Sequence, residues 1–334
     1  MRVFFAGIPW GLGGPREVNK NMIEALGDRV VSLQSSNKIV HVLEMIYNIF
    51  MSDVIVFSGV SAYDYVFARM VTILHKKVVY IMHGCNELEN KINHCSNPMC
   101  EKSQLALMKS AHYILCVSKT HRDMMRKYYP HYAYKIDELT NGVNWLYLTD
   151  EVGDCTNDER DHERIVLMGG GRITKRNLNV CLAVDQLNEE LHWGISVDVY
   201  GSMRDSDDSH EIAEVKCVNF MGMVPHKELL LRLKGAQLFV QNSEFEPFSL
   251  GVVEALMCGC DLLVSQFVGA KDIIDLQASD VICNPNDIEE IRLKIENVLL
   301  HGNNKRLLSS IDRDSTSIYK VADRLLEKIE TYFV

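Results

Sequence analysis

Short runs of β-branched and aromatic residues recur along this chain, each followed by a stretch with helical spacing. That alternation limits the fold more than any other feature. In the first half the runs are Arg2–Ile8, Val30–Leu33, Val54–Phe57, Val78–Met82 and Tyr113–Val117, with a closing segment at Leu139–Val143. In the second half they are Ile165–Met168, Ser196–Tyr200, Val218–Met221, Ala236–Val240, Cys260–Val264 and Asp280–Cys283. Alternation of this kind implies parallel sheets covered by helices on both faces. A polar, acid-rich break at residues 148–163 separates the two series and reads as a linker. The expected domains are therefore 1–147 and 164–320, with a last helical stretch over 321–334.

A length of 334 residues is comfortable for two cores. No apolar run approaches the roughly 20 residues that span a bilayer. The opening Met1–Pro9 is too short and too soon broken for a secretory signal, so the 10 Cys read as reduced thiols of a cytoplasmic protein. Residues 1–150 carry 16 Lys+Arg against 13 Asp+Glu, whereas residues 151–334 carry 19 against 32. That balance argues against nucleic-acid binding, which calls for a basic face. It leaves the first half able to rest near an anionic membrane surface. Lys119, Arg122, Arg126 and Lys127, on one helix, are the expected contact, with an ordinary solvated face the equal alternative.

The densest chemistry lies in Ser243–Gly259. Leu250, Val253, Leu256 and Met257 recur at helical spacing, Pro247 suits a first turn, and Gly259 suits a left-handed C-cap. Glu246 stands at the mouth of this helix and Glu254 about two turns inside. A carboxylate on an otherwise apolar helix needs a partner when buried. Beside a helix mouth, where anions collect, an acceptor-only side chain suits the hydroxyls of a ribose or a sugar. A solvated Glu fits this helix alone equally well. The pair Glu–x7–Glu, with Pro-Phe-Ser-Leu-Gly after the first and Ala-Leu-Met-Cys-Gly after the second, resembles the donor-site signature of family 4 glycosyltransferases. Those are retaining enzymes of the GT-B fold. The resemblance implies that Glu246 contacts the transferred sugar and Glu254 the nucleotide ribose. It also places Phe248, Ser249 and Leu250, at the helix mouth, in the donor site.

Gly169-Gly170-Gly171-Arg172-Ile173-Thr174-Lys175-Arg176 follows a strand and opens a helix. Glycines let a backbone approach phosphate, and the cations would neutralise a diphosphate. The segment resembles the family's Gly-Arg…Lys donor loop. Arg172 aligns with its Arg, and the second cation is Lys175 or Arg176, with Lys175 preferred. Gly13 and Gly14, in Gly11–Arg16, resemble the first-domain glycine loop, and Arg16 is a further anion contact. His83, closing Val78–Met82, stands at the carboxyl edge of the first sheet, where open α/β sheets bind ligands. The family commonly has a His there, facing the transferred sugar. Ser118 and Asn141-Gly142-Val143 match family positions more weakly.

Cys85, His94, Cys95 and Cys100 lack a paired Cys-x-x-Cys spacing, so a zinc site is not expected. The Asp-x-Asp pairs Asp205-Ser206-Asp207 and Asp312-Arg313-Asp314 read as solvated, away from the donor motifs.

The expectation is thus an α/β protein of the GT-B class, two doubly wound Rossmann-like domains facing a central cleft, with the helix over 321–334 crossing back to the first domain as in the family. It is expected to be a retaining, metal-independent hexosyltransferase, moving a sugar from a nucleoside-diphosphate sugar to a hydroxyl without a cofactor. The expected setting is bacterial surface polysaccharide synthesis on a lipid-linked saccharide, at the inner face of the cell membrane. A non-catalytic nucleotide-sugar-binding partner of another transferase is the alternative.

Overall fold

The computed structural model describes residues 1–11, 13–153, 160–204 and 207–333. They divide into two units, residues 1–144 with 313–334 and residues 145–312.

The first unit runs β1 (Val3–Phe5), α1 (Gly14–Leu26), β2 (Val31–Ser32), α2 (Lys38–Met51), β3 (Val54–Ser58), α3 (Asp64–Ile73) and β4 (Lys77–Met82). It continues with α4 (Asn86–Ile92), α5 (Pro98–Ser110), β5 (Tyr113–Cys116), α6 (Lys119–Tyr128) and β6 (Ile136–Glu138). Its sheet has the order β2-β1-β3-β4-β5-β6, every pair parallel. Phe4, Ile55 and Val79 are fully buried within it, which is why these strands read as continuous apolar runs. Right-handed crossovers in this strand order put α1 on one face and α2, α3, α5 and α6 on the other.

The second unit runs α7 (Trp145–Val152), β7 (Asp161–Met168), α8 (Asn177–Leu191), β8 (Ser196–Tyr200), α9 (Ser209–Glu214), β9 (Val218–Gly222) and α10 (His226–Lys234). It continues with β10 (Ala236–Gln241), α11 (Leu250–Met257), β11 (Asp261–Ser265), β12 (Val281–Ile282), α12 (Ile288–His301) and α13 (Asn304–Ser310). The sheet order is β12-β11-β10-β7-β8-β9, again parallel throughout. Leu167, Val197, Leu238 and Leu263 of the strands pack with Val184 of α8 and Ile295 of α12 in one buried core.

Helix α14 (Ile318–Phe333) belongs to the first unit, where it packs on α1. Lys328 Nζ and Tyr332 Oη both donate to Asp137 of β6 at 2.6 Å, and the Tyr332 ring stacks on Tyr113. The Asn-Gly-Val turn makes room for this segment. A side chain at Gly142 would run into the Ile318 backbone, and Val143 bridges Ser317.

Three expectations shift. The break at 148–163 is not a continuous linker. Trp145, Leu148 and Val152, at helical spacing, are buried as α7 in the second unit, and β7 already begins at Asp161. Residues 154–159 of that segment lie outside the described residues. The chain crosses between units at 144/145 and at 312/313, earlier than 147 and 320. The last strand of the first sheet is Ile136–Glu138 rather than the segment Leu139–Val143.

Candidate active site

In the second unit the chemistry gathers where β7 and β10 end. The turn after β7 needs its glycines. Gly169 and Gly170 have φ of 102° and 61°, and a Cβ on Gly170 would lie 2.6 Å from the Ser202 carbonyl. Gly171 abuts the backbone of Ser209 and the carboxylate of Asp207. Asp207 is therefore not solvated and remote, as its sequence suggests. It caps Ser209 N at 3.0 Å, and one of its carboxylate oxygens is buried without a partner among the described residues. Asp205 and Ser206 lie outside the described residues.

Arg172 is exposed, donates from Nε to Gly169 O at 3.4 Å, and pairs with no carboxylate among the described residues. The two following cations are held differently. Lys175 is buried and ion-paired to Glu246, with side chains 11% and 17% exposed. Arg176 has a left-handed backbone, φ 50°, and its guanidinium binds Glu244 at 2.7 Å, which in turn accepts from Asn286. Lys175 thus shares its surroundings with Gly169 and Glu246, whereas Arg176 is tied to Glu244.

The loop carrying Glu246 is pinned by its neighbours. Glu246 O accepts from Gly269 N at 2.9 Å and Phe248 O from Ala270 N at 2.7 Å, and Phe248 is buried. Helix α11 starts at Leu250, so Pro247 stands ahead of it in this loop rather than in the first turn. The N-cap is Ser249, whose φ of 80° is unusual for a residue with a side chain. Such strain persists only where surroundings hold it, and here Ser249 Oγ donates to Gln241 at 3.3 Å. Gly259, φ 89°, follows the helix as its left-handed cap.

Glu254, 14% exposed, has found a partner that its own helix does not announce. His226 Nε2, at the start of α10, lies 3.0 Å from Glu254 Oε1, and the His226 ring stacks on Tyr147 of α7. No spacing rule links positions 226, 254 and 147. Only the docking of α7 and α10 beside α11 brings them together.

In the first unit, His83 follows β4 and its Nε2 lies 2.8 Å from Ser58 Oγ, at the end of β3. Ser58 Oγ donates to Asn19 Oδ1 at 2.6 Å, and Asn19 Nδ2 donates to the carbonyls of Ile8 and Ser58. Because the one hydroxyl proton of Ser58 is spent on Asn19, the imidazole proton sits on Nε2. That leaves His83 Nδ1 as an acceptor. Burial lowers the His83 pKa to about 4, so the ring is neutral at physiological pH. Ser58 and Asn19 are partners that the sequence did not signal.

Gly13, φ 116°, caps α1, and both Gly13 and Gly14 would have open space around a Cβ. Arg16 Nη1 donates to Trp10 O at 2.7 Å. Ser118 is the N-cap of α6, accepting from His121 N. Among the described residues no cluster of three or more His, Cys, Asp or Glu is arranged to hold a metal. Cys85 Sγ instead meets Tyr129 Oη at 3.4 Å. The basic helix α6 is partly used up: Arg122 pairs with Asp123 and Glu138, and Arg126 binds the Ile136 carbonyl. No described helix is long and apolar enough to cross a membrane.

Residues 156–311 match the family model described as "Glycosyl transferases group 1". The chain is 29% identical to glycogen synthase of Mycobacterium tuberculosis over 93 residues, 28% of this chain and 22% of that protein. It is 27% identical to O-antigen chain mannosyltransferase B of Escherichia coli over 78 residues, 23% of this chain and 20% of that protein. The chain thus aligns with about a fifth of the length of these relatives. Among solved structures, Anabaena HepE in complex with UDP and glucose superposes with a TM-score of 0.70 at 14% identity, covering 99% of this chain and 100% of that one. The fold is GT-B.

Proposed function

We propose that this chain, whose second unit carries a group 1 glycosyltransferase domain, is a retaining glycosyltransferase of family 4. It moves a sugar from a nucleoside-diphosphate sugar to a hydroxyl. The observation that carries the reading is the ion pair of Lys175 with Glu246 at the foot of α11, with Arg172 on the same turn facing no carboxylate among the described residues. Arg172 and Lys175 take the donor diphosphate, together with the helix mouth at Ser249, Leu250 and Gly251, where α11 begins. Glu246 holds the transferred sugar and pairs with Lys175 until the diphosphate draws the cation away. Glu254 accepts from the ribose hydroxyls, with His226 as its positioning residue. His83 offers Nδ1 to a sugar hydroxyl.

In the transfer the anomeric C–O bond breaks and the diphosphate leaves with the electron pair. The acceptor oxygen attacks the same face, and its proton passes to the departing phosphate oxygen. Each preorganised donor aimed at the growing diphosphate charge contributes roughly 3–4 kcal/mol to such a transition state. Side-chain cations carry that neutralisation, so transfer is expected to survive EDTA.

The HepE structure, which holds UDP and glucose, supports a nucleoside-diphosphate sugar as donor. The O-antigen chain mannosyltransferase among the relatives supports surface polysaccharide synthesis, and a lipid-linked saccharide at the inner face of the membrane is the acceptor we propose. Thermal-shift screening with UDP, GDP, their sugars and NAD(H) tests the reading. Stabilisation by a nucleoside diphosphate and its sugar supports it, and stabilisation by NAD(H) alone ends it. Turnover of the sugar on a polyprenyl-linked acceptor separates an enzyme from a binding subunit.

A further inference from the structure

One face of the first unit is apolar where a water-facing helix layer is normally polar. On α2, Ile39, Leu43, Ile46 and Phe50 recur at the spacing of a single helical face, and that face is exposed, Ile39 at 74% and Leu43 at 61%. The opposite side of α2, with Met45, Asn48 and Ile49, is the buried one. Neighbouring α3 adds Val66 and Ile73, the latter 71% exposed. A contiguous apolar surface of this kind marks an interaction site.

The charges on this face are of one sign. Across α2, α3 and α5 the exposed charged residues are Lys38, Arg69, Lys102 and Lys109. The acids of these helices are turned to local work. Glu44 accepts from the backbone of Gln34 and Ser35, Asp64 from Ser61 N, and Glu101 from Asn90. Lys102 also lies over the Tyr65 ring, 4.3 Å from its centre. Apolar side chains rimmed by unopposed cations complement an anionic bilayer on both counts. A two-fold pairing of this face with a second copy would set cation against cation with no exposed acid to meet them.

At the head of α2 the surface dips into a hollow of about 800 Å³, lined by Trp10, Ile39, Leu43, Tyr63 and Phe67 among others. It shares Ile8, Arg16, His41 and Ser61 with a smaller chamber of about 260 Å³ that reaches Asn19 and Ser58, the latter the partner of His83. A lipid chain in the hollow would bring its polar head to that chamber.

We propose that the α2–α3–α5 face docks on an anionic phospholipid bilayer, from which an amphiphilic acceptor enters at the head of α2. The proposal rests on the lipid-linked acceptor read above, and it moves the membrane contact from α6 to α2. The test is co-flotation of the full chain with vesicles of phosphatidylcholine, with and without phosphatidylglycerol.

Wild type floats with the anionic vesicles. The triple variant Ile39→Glu, Leu43→Glu, Phe50→Glu, exposed positions with no core role, loses binding by about tenfold or more. Lys38→Glu with Arg69→Glu removes the preference for phosphatidylglycerol. Charge reversal at Lys119 and Lys127 of α6 changes binding less than twofold. A triple variant that floats like wild type overturns the proposal, as does a wild type that floats with no vesicle. Elution of wild type as a dimer that the triple variant breaks overturns it in favour of a second copy. Nucleotide stabilisation, measured in solution without lipid, reads the second unit: its failure with flotation intact refutes glycosyl transfer and leaves this surface standing.

Discussion

Glu254 Oε1 lies 3.0 Å from His226 Nε2, and the His226 ring is itself stacked on Tyr147. The carboxylate on an apolar helix is therefore held from the side by a second helix, and Oε2 has no protein partner among the described residues. If His226 positions Glu254 for the ribose, His226→Ala weakens nucleoside-diphosphate binding by about 0.5–1.5 kcal/mol, the net worth of one hydrogen bond. His226→Gln recovers part of that. Calorimetry with UDP or GDP reads both, and equal affinities across the three proteins remove His226 from the site.

Lys175 and Arg176 are adjacent in sequence but not in role. Lys175→Ala removes a charged contact to the diphosphate and costs about 1.5–3 kcal/mol of nucleotide affinity. Arg176→Ala strands Glu244 instead, so it lowers the melting temperature and leaves nucleotide affinity near wild type. The opposite pattern would exchange the two assignments.

The His83–Ser58–Asn19 chain sets a pH expectation. A His whose pKa is lowered to about 4 stays neutral through pH 5–8, so no activity break near 6.5 belongs to it. Its contribution to stability is present above the unfolded-state value near 6.5 and is lost as pH falls through about 4. Ring-proton NMR of His83 is expected to show a midpoint near 4. A midpoint near 6.5 contradicts the buried, Nε2-protonated ring.

Asp137 anchors α14. Burial alone would raise its pKa, but hydrogen bonds from Lys328 and Tyr332 outweigh that and hold it at about 2. A depressed carboxylate stabilises above its unfolded value near 4 and loses that contribution as pH falls through about 2. Asp137→Asn is therefore expected to lower the melting temperature at pH 7 and to flatten its decline between pH 4 and 2. The group is partly solvated, so the effect is modest. An unchanged acid profile would mean that α14 is held by its apolar face alone.

Much of the fold was legible because parallel strands buried on both faces read as uninterrupted apolar runs, such as Val54–Phe57 and Leu262–Val264. What escaped was short or polar. Helix α7 hides in an acidic stretch because only Trp145, Leu148 and Val152 face inward. Glu246, Glu254, Arg172 and Lys175 stood out through short local motifs that resemble the family's donor site. Their partners did not, because Glu244–Arg176, His226–Glu254 and Ser58–His83 join residues tens of positions apart. Pro247 misled for a physical reason: hydrogen bonds from Gly269 and Ala270 hold residues 246–248 as a loop and delay the helix to Leu250.

The division of labour between the two carboxylates is the centre of the account, and calorimetry on Glu254→Ala and Glu246→Ala tests it most directly. With plain nucleoside diphosphate, Glu254→Ala is expected to lose about 1.5–3 kcal/mol, as for hydrogen bonds to a charged group. Glu246→Ala, which frees Lys175 for the diphosphate, is expected to bind the nucleotide at least as well as wild type, yet to lose turnover and discrimination among donor sugars. If both variants bind nucleoside diphosphate like wild type and turn over normally, α11 is scaffold only and the glycosyl-transfer reading is contradicted.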